Sequence, residues 1–141
     1  MAVEVMSLYK SFGENKVLED VNFSLEEGKI YALVGRNGSG KTTLLKVMAD
    51  IFQKDLGKVN VFGKSCAEDK HILENIVYLP DRFDYFDYIS VEKMLEYYEV
   101  IYPNFNKKFA KKELEKNNID LKKSLRSFSK GYKNLIGLLA T

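Results

Sequence analysis

The stretch Gly35-Arg36-Asn37-Gly38-Ser39-Gly40-Lys41-Thr42 decides how this chain is read. It satisfies G-x-x-x-x-G-K-[ST] at every fixed position. An apolar run, Ile30 to Val34, leads into it, and the helix-forming run "TTLLKVMADI" leads out. That order of strand, loop and helix is the context the pattern requires. Glycines permit backbone conformations that turn successive N–H groups inward around an anion. The helix start adds partial positive charge at the same point. Lys41 is placed to reach the β- and γ-phosphates of a nucleoside triphosphate, and the Thr42 hydroxyl to ligate Mg²⁺. Arg36, Asn37, Ser39 and Thr43 complete the segment expected around the phosphates. The motif establishes a phosphate site but names neither the base nor the fate of the nucleotide.

Composition bounds the rest. A chain of 141 residues suits one domain with a real core, and 45% hydrophobic with 30% charged residues describe a soluble globular protein. Twenty-two basic residues against twenty acidic ones leave a net charge of +2, so no nucleic acid partner is expected. The basic run Lys107 to Lys112 is interleaved with apolar positions and reads as a solvated helix face. Cys66 is the single cysteine, which excludes an internal disulfide and agrees with a reducing compartment; it reads as an incidental thiol. The opening "MAVEVMSLYK" has no basic stretch followed by an apolar run, so no secretion signal is read there. No segment approaches the roughly 20 apolar residues of a membrane span, so any membrane role comes through a partner.

Along the first eighty residues the pattern is that of strands. "VEVMSLYK" alternates in part, and Val21, Phe23 and Leu25 share one face at period two. Ile30 to Val34 is apolar throughout, which predicts a strand covered on both faces. "KVNVF", bracketed by Gly57 and Gly63, and "NIVYL", Asn75 to Leu79, predict two more strands. After Pro80 the period changes. Ser90 is an N-cap for a helix with Val91, Met94, Leu95 and Tyr98 on one face, bounded by Pro103. Lys107 to Asn117 predicts a second helix, polar on most sides. Ser129 is placed to cap a third, from Lys130 onward.

Four further stretches give the chain a resemblance to a known family, the ATP-binding subunits of ABC transporters. The segment from Tyr9 to Ile51 follows that family's N-terminal pattern, spacing included. The resemblance implies that Phe12 stacks on the adenine of ATP; the alternative is a core aromatic at a strand end. "NIVYLPD" resembles the stretch leading to the Q-loop, where the usual Gln contacts Mg²⁺ and the attacking water. Asp81 occupies that place here. A carboxylate binds Mg²⁺ but, ionised, donates no hydrogen bond, so Asp81 is either a catalytic and metal-contacting residue or an exposed turn residue. The next segment, with Phe83, Tyr85, Phe86 and Tyr88, resembles the surface that receives a transmembrane permease domain; packing inside a helical subdomain is the alternative. "SFSKGYKNLIGLL" resembles the family's signature segment. There Ser129 and Gly131 are expected to contact the ATP of a second ATP-binding subunit, and Ser129 is otherwise an ordinary N-cap.

The resemblance implies an α/β fold: a P-loop ATPase core of ABC type with an N-terminal antiparallel β part and a helical subdomain. Residues 1–80 are expected to form the β part and half of the core, and residues 81–141 the helical subdomain through the signature helix. The family's Mg²⁺-binding Asp, catalytic Glu and switch His are expected beyond Thr141. His71 precedes the Q-loop position and is expected to be structural or solvent-facing. The chain is therefore expected to be the N-terminal part of a longer ATPase, to bind ATP with Mg²⁺, and to hydrolyse little or none by itself. Its expected place is the cytoplasmic face of a membrane, held there by its permease, with export mildly favoured by "FSKGYK". A soluble ABC-type ATPase without a membrane partner and a non-hydrolysing nucleotide-binding module are the other two readings.

Overall fold

Strands β1 (Val3–Phe12) and β2 (Asn15–Leu25) form a hairpin. Phe12 pairs with Asn15, and Gly13 at φ 60° takes the first of the two turn positions. A right-twisted hairpin favours glycine at that place. Strand β3 (Leu56–Val61) pairs with the other edge of β1, giving an antiparallel sheet of order β2-β1-β3. The computed structural model describes residues 1–80, 86–102 and 104–139. They fall into two units, Met1–Tyr78 and Leu79–Thr141.

The sheet is bulged at Ser7, which has φ 43° between the paired residues Val5 and Leu8. The side chain of Asn22 takes up the Ser7 N–H at 2.7 Å, so the bulge leaves no orphan donor. Gly57 lies against it: a Cβ at Gly57 would stand 2.1 Å from the Ser7 carbonyl oxygen. Helix α1 (Lys41–Met48) packs Leu44 and Val47 onto Val5, Leu8, Leu18 and Val59 of the sheet. Val21 and Phe23 pack against this core from β2, while the alternate residues Asn22 and Ser24 are exposed.

Two expected strands are absent from the described ladders. Ile30 is fully exposed, Val34 is 88% exposed, and residues 29–34 pair with no strand. Residues 76–80 are likewise unpaired, and Asn75 closes a 3₁₀ turn, Lys70–Asn75. A run of apolar residues carries the propensity for a strand, but a strand exists only where a neighbour takes its N–H and C=O groups. Among the described residues no strand forms a ladder with either segment.

The second unit is helical. Helix α2 (Val91–Ile101) is capped as expected, the Ser90 hydroxyl accepting from the Lys93 N–H at 3.2 Å. Val91, Met94 and Leu95 are fully buried and Tyr98 nearly so. Helix α3 (Lys107–Lys116) is capped by Asn106 and buries Ala110 and Leu114 against α2 and its surroundings. Two lysines of the basic run on α3 are paired: Lys107 with Glu99 at 2.7 Å, and Lys111 with Glu92 at 2.5 Å. Helix α4 (Lys130–Leu139) buries Ile136 in the same core. Lys133 of α4 is ion-paired to Asp87, both side chains being largely withdrawn from water.

Candidate nucleotide-binding site

The loop between Val34 and α1 is shaped by two glycines. Gly38 has φ 82° and Gly40 φ 86°, a region that side chains with a Cβ rarely adopt. The Ser39 N–H closes back on the Arg36 carbonyl at 3.2 Å. Gly40 serves a second purpose, since a Cβ there would meet the Val17 carbonyl oxygen at 3.0 Å and the Leu18 side chain at 3.2 Å. Its hydrogen lets the start of α1 press onto β2.

The Leu44 N–H makes the first bond of the helix, to the Gly40 carbonyl at 2.8 Å. The N–H groups of the preceding turn therefore have no helical acceptor. No side chain caps this end. Lys41 curls back over the loop, its Nζ donating to the carbonyls of Gly35 and Arg36, each at 2.7 Å. Beside this turn is a cleft of about 370 Å³ lined by Phe12, Val17, Asn37, Gly38, Ser39, Gly40, Lys41, Thr42 and Thr43. It offers an ammonium, hydroxyls, helix-end N–H groups and an aromatic ring, which suits a phosphate chain joined to a flat ring system.

The structure thus brings together most of the residues the sequence singled out. Gly35 and Arg36 are not among the lining residues but hold Lys41 through their carbonyls. Phe12 is 46% exposed and packs edge-on against Phe52, with ring centroids 5.5 Å apart. It is therefore a strand-end aromatic that also faces the cleft. Val17 lines the cleft although no sequence signal singled it out; the alternation of β2 would have shown it once the hairpin at Gly13 was seen. Asp55 and Lys10 beside Phe12 had no local signal at all.

Ser129 and Gly131 stand in the helical unit at the start of α4. The Ser129 hydroxyl accepts from the Tyr132 N–H at 3.4 Å, a long cap, and Gly131 is exposed with open space around its Cα. Asp81, Phe83 and Tyr85 lie outside the described residues. Phe86 packs into the helical core, whereas Tyr88 is 82% exposed beside Arg126.

His71 is exposed and paired with Glu74 at 2.9 Å, and that carboxylate raises its pKa above 6.5. Cys66 is half-buried, and burial raises its thiol pKa. Among the described residues no group of three or more His, Cys, Asp or Glu side chains is arranged to hold a metal ion. A cation in the cleft would rest on Thr42 together with phosphate oxygens, the usual way Mg²⁺ is bound beside phosphates. No described helix is long and apolar enough to cross a membrane.

A sequence model of the ABC transporter family matches residues 18–141. The chain belongs to the ABC transporter family. The ABC transporter ATP-binding protein YtrB of Bacillus subtilis is 31% identical over 97% of this chain, which covers 47% of YtrB. The ribose import ATP-binding protein RbsA of Halalkalibacterium halodurans is 48% identical over 45% of this chain and 13% of its own length. The chain thus spans less than half the length of these relatives. Among solved structures, a putative ABC transporter ATP-binding protein from Pyrococcus furiosus has a TM-score of 0.80 at 28% identity, covering 98% of this chain and 68% of that one. An ATP-binding subunit of an ABC transporter superposes with a TM-score of 0.84 over the whole chain and 61% of its own. The fold is that of the ABC-type P-loop ATPase domain, as the sequence led us to expect.

Proposed function

We propose that this chain binds ATP with Mg²⁺ in the cleft between the glycine loop, the first turn of α1 and Phe12, as part of the ATP-binding subunit of an ABC transporter. The observation that carries this reading is the convergence of Phe12 with Asn37 to Thr43 on one cleft. Phe12 would stack on the base. Lys41 would exchange the Gly35 and Arg36 carbonyls for phosphate oxygens, and the free N–H groups of the first turn would receive the phosphate charge. Thr42 would hold the metal, which draws charge from the phosphates. Asp81 is proposed as a second metal contact, which keeps the octahedral ion supplied with a carboxylate.

In the whole protein we propose that Ser129 and Gly131 contact the ATP of a second ATP-binding subunit. A solvent-facing serine and a bare glycine at a helix start suit approach by an anion. Hydrolysis by the whole protein would then power transport. The permease is proposed to dock around Phe83–Tyr88, where Tyr88 already faces solvent. Export is the direction that Phe128 to Lys133 favours. Co-purification with a protein of several membrane spans tests the partner, and ATP-driven efflux from cells against uptake tests the direction.

Lys41→Ala tests the site itself. Removing a charge-assisted contact weakens ATP binding by about 1.5–3 kcal/mol, roughly ten- to a hundredfold in Kd. An unchanged Kd by titration calorimetry overturns the assignment.

A further inference from the structure

Phe12 is held in place by groups that do not line the cleft. Lys10 Nζ stands over its ring, 5.2 Å from the centroid. That lysine is itself fixed, its Nζ donating to Asp55 Oδ1 at 2.8 Å. Asp55 is fixed in turn: Oδ2 accepts the Ser11 N–H at 2.6 Å, and its own N–H donates to the Tyr9 carbonyl at 3.0 Å. The Lys10 side chain is only 15% exposed. Partial desolvation strengthens the attraction of a cation for an aromatic face.

Phe52 also packs against this ring, in a T-shaped contact at an interplanar angle of 74°. The Phe52 N–H donates to the Lys46 carbonyl at 3.1 Å, and Lys46 Nζ stands 4.9 Å from the Phe52 centroid. The series Lys10, Phe12, Phe52, Lys46 therefore ties the end of β1 to the last turn of α1. Ligands lose affinity to the ordering of the side chains they meet, and a ring already fixed avoids that loss.

We infer that Lys10, held by Asp55, and Phe52 are positioning residues that set Phe12 as a platform for a flat base, so that the site prefers a nucleotide to a bare polyphosphate. The inference rests on the proposed role of Phe12. It adds that the preference depends on charge and aromatic packing outside the cleft.

Titration calorimetry with two probes, Mg²⁺-ATP and Mg²⁺-tripolyphosphate, tests it. Lys10→Met keeps the aliphatic stem and removes the charge. We expect it to weaken ATP binding about three- to tenfold and to leave tripolyphosphate unchanged. Lys10→Arg should restore ATP binding, and Lys10→Met should add nothing in a Phe12→Ala background. Equal weakening of both probes would reveal a general electrostatic effect and overturn the proposal. So would an unchanged ATP affinity in Lys10→Met when Phe12→Ala alone weakens ATP, an outcome that leaves the base platform standing. If Phe12→Ala itself leaves the ratio of the two affinities unaltered, the platform fails and its support fails with it.

Discussion

Three glycines of one motif are expected to respond differently to the same added methyl group. At Gly35, φ is not positive, and a Cβ would meet the Ser39 hydroxyl at 2.7 Å, an atom that can rotate away. Gly35→Ala should therefore change stability little. At Gly38, φ is 82° and nothing lies within 4 Å of the added carbon. The substitution there carries only the conformational penalty, about 1–2 kcal/mol. At Gly40, φ is 86° and the added carbon meets the Val17 carbonyl oxygen at 3.0 Å and two further side-chain atoms at 3.1 and 3.2 Å. Crowding of a packed site adds about 1–3 kcal/mol, so Gly40→Ala should lose about 2–5 kcal/mol in all. That is a large share of a typical domain's stability of about 5–15 kcal/mol. The chain has no tryptophan, so urea unfolding is best followed by far-UV circular dichroism, with the m-value checked for constancy. The expected order of loss is Gly35 below Gly38 below Gly40. Equal losses at Gly38 and Gly40 would refute the argument that α1 is pressed onto β2 through the missing side chain.

Gly57→Ala should be worse than any of these, because the added carbon would lie 2.1 Å from the Ser7 carbonyl oxygen and φ is 91°; a soluble variant with the parent's urea midpoint would rule out the bulge packing. Asp55 has its pKa lowered below 3.8 chiefly by the hydrogen bond from Lys10, then by the Ser11 N–H. A depressed carboxylate contributes stability that is present above its unfolded value and lost as pH falls through the folded one. The parent should therefore lose stability on acidification below pH 3.8 more steeply than Asp55→Asn, and parallel pH profiles would contradict this. In the helical unit, Lys133→Met removes the partner of the part-buried Asp87 and should destabilise by about 1.5–3 kcal/mol. The exchanged pair Lys133→Asp with Asp87→Lys should recover part of that loss in thermal unfolding, and no recovery would show that the two residues act separately.

The helices were the legible part of this chain. Ser90 with Val91, Met94, Leu95 and Tyr98 announces α2 because capping and a repeat of 3.6 residues are satisfied within the segment itself. The glycine loop was legible for the same reason, its backbone angles and the helix start being local matters. Asn106 was a missed cap of the same kind. The hairpin at Gly13 was missed although Gly-Glu between two alternating runs is a recognised turn signal.

Other features were not decided locally. Ile30 to Val34 has the composition of a buried strand, yet it is exposed and unpaired here, because pairing depends on which chain segment lies alongside. The bulge at Ser7 depends on Asn22 and Gly57, which come from two other strands. By itself the sequence determined the phosphate loop, α1, and the capped apolar faces of the helical unit. Only the tertiary structure decided that the end of β1 stands beside that loop, with Phe12 facing the cleft and Asp55 holding Lys10 over its ring. Periodicity and capping act over a few residues, whereas strand pairing and ring packing join residues dozens of positions apart.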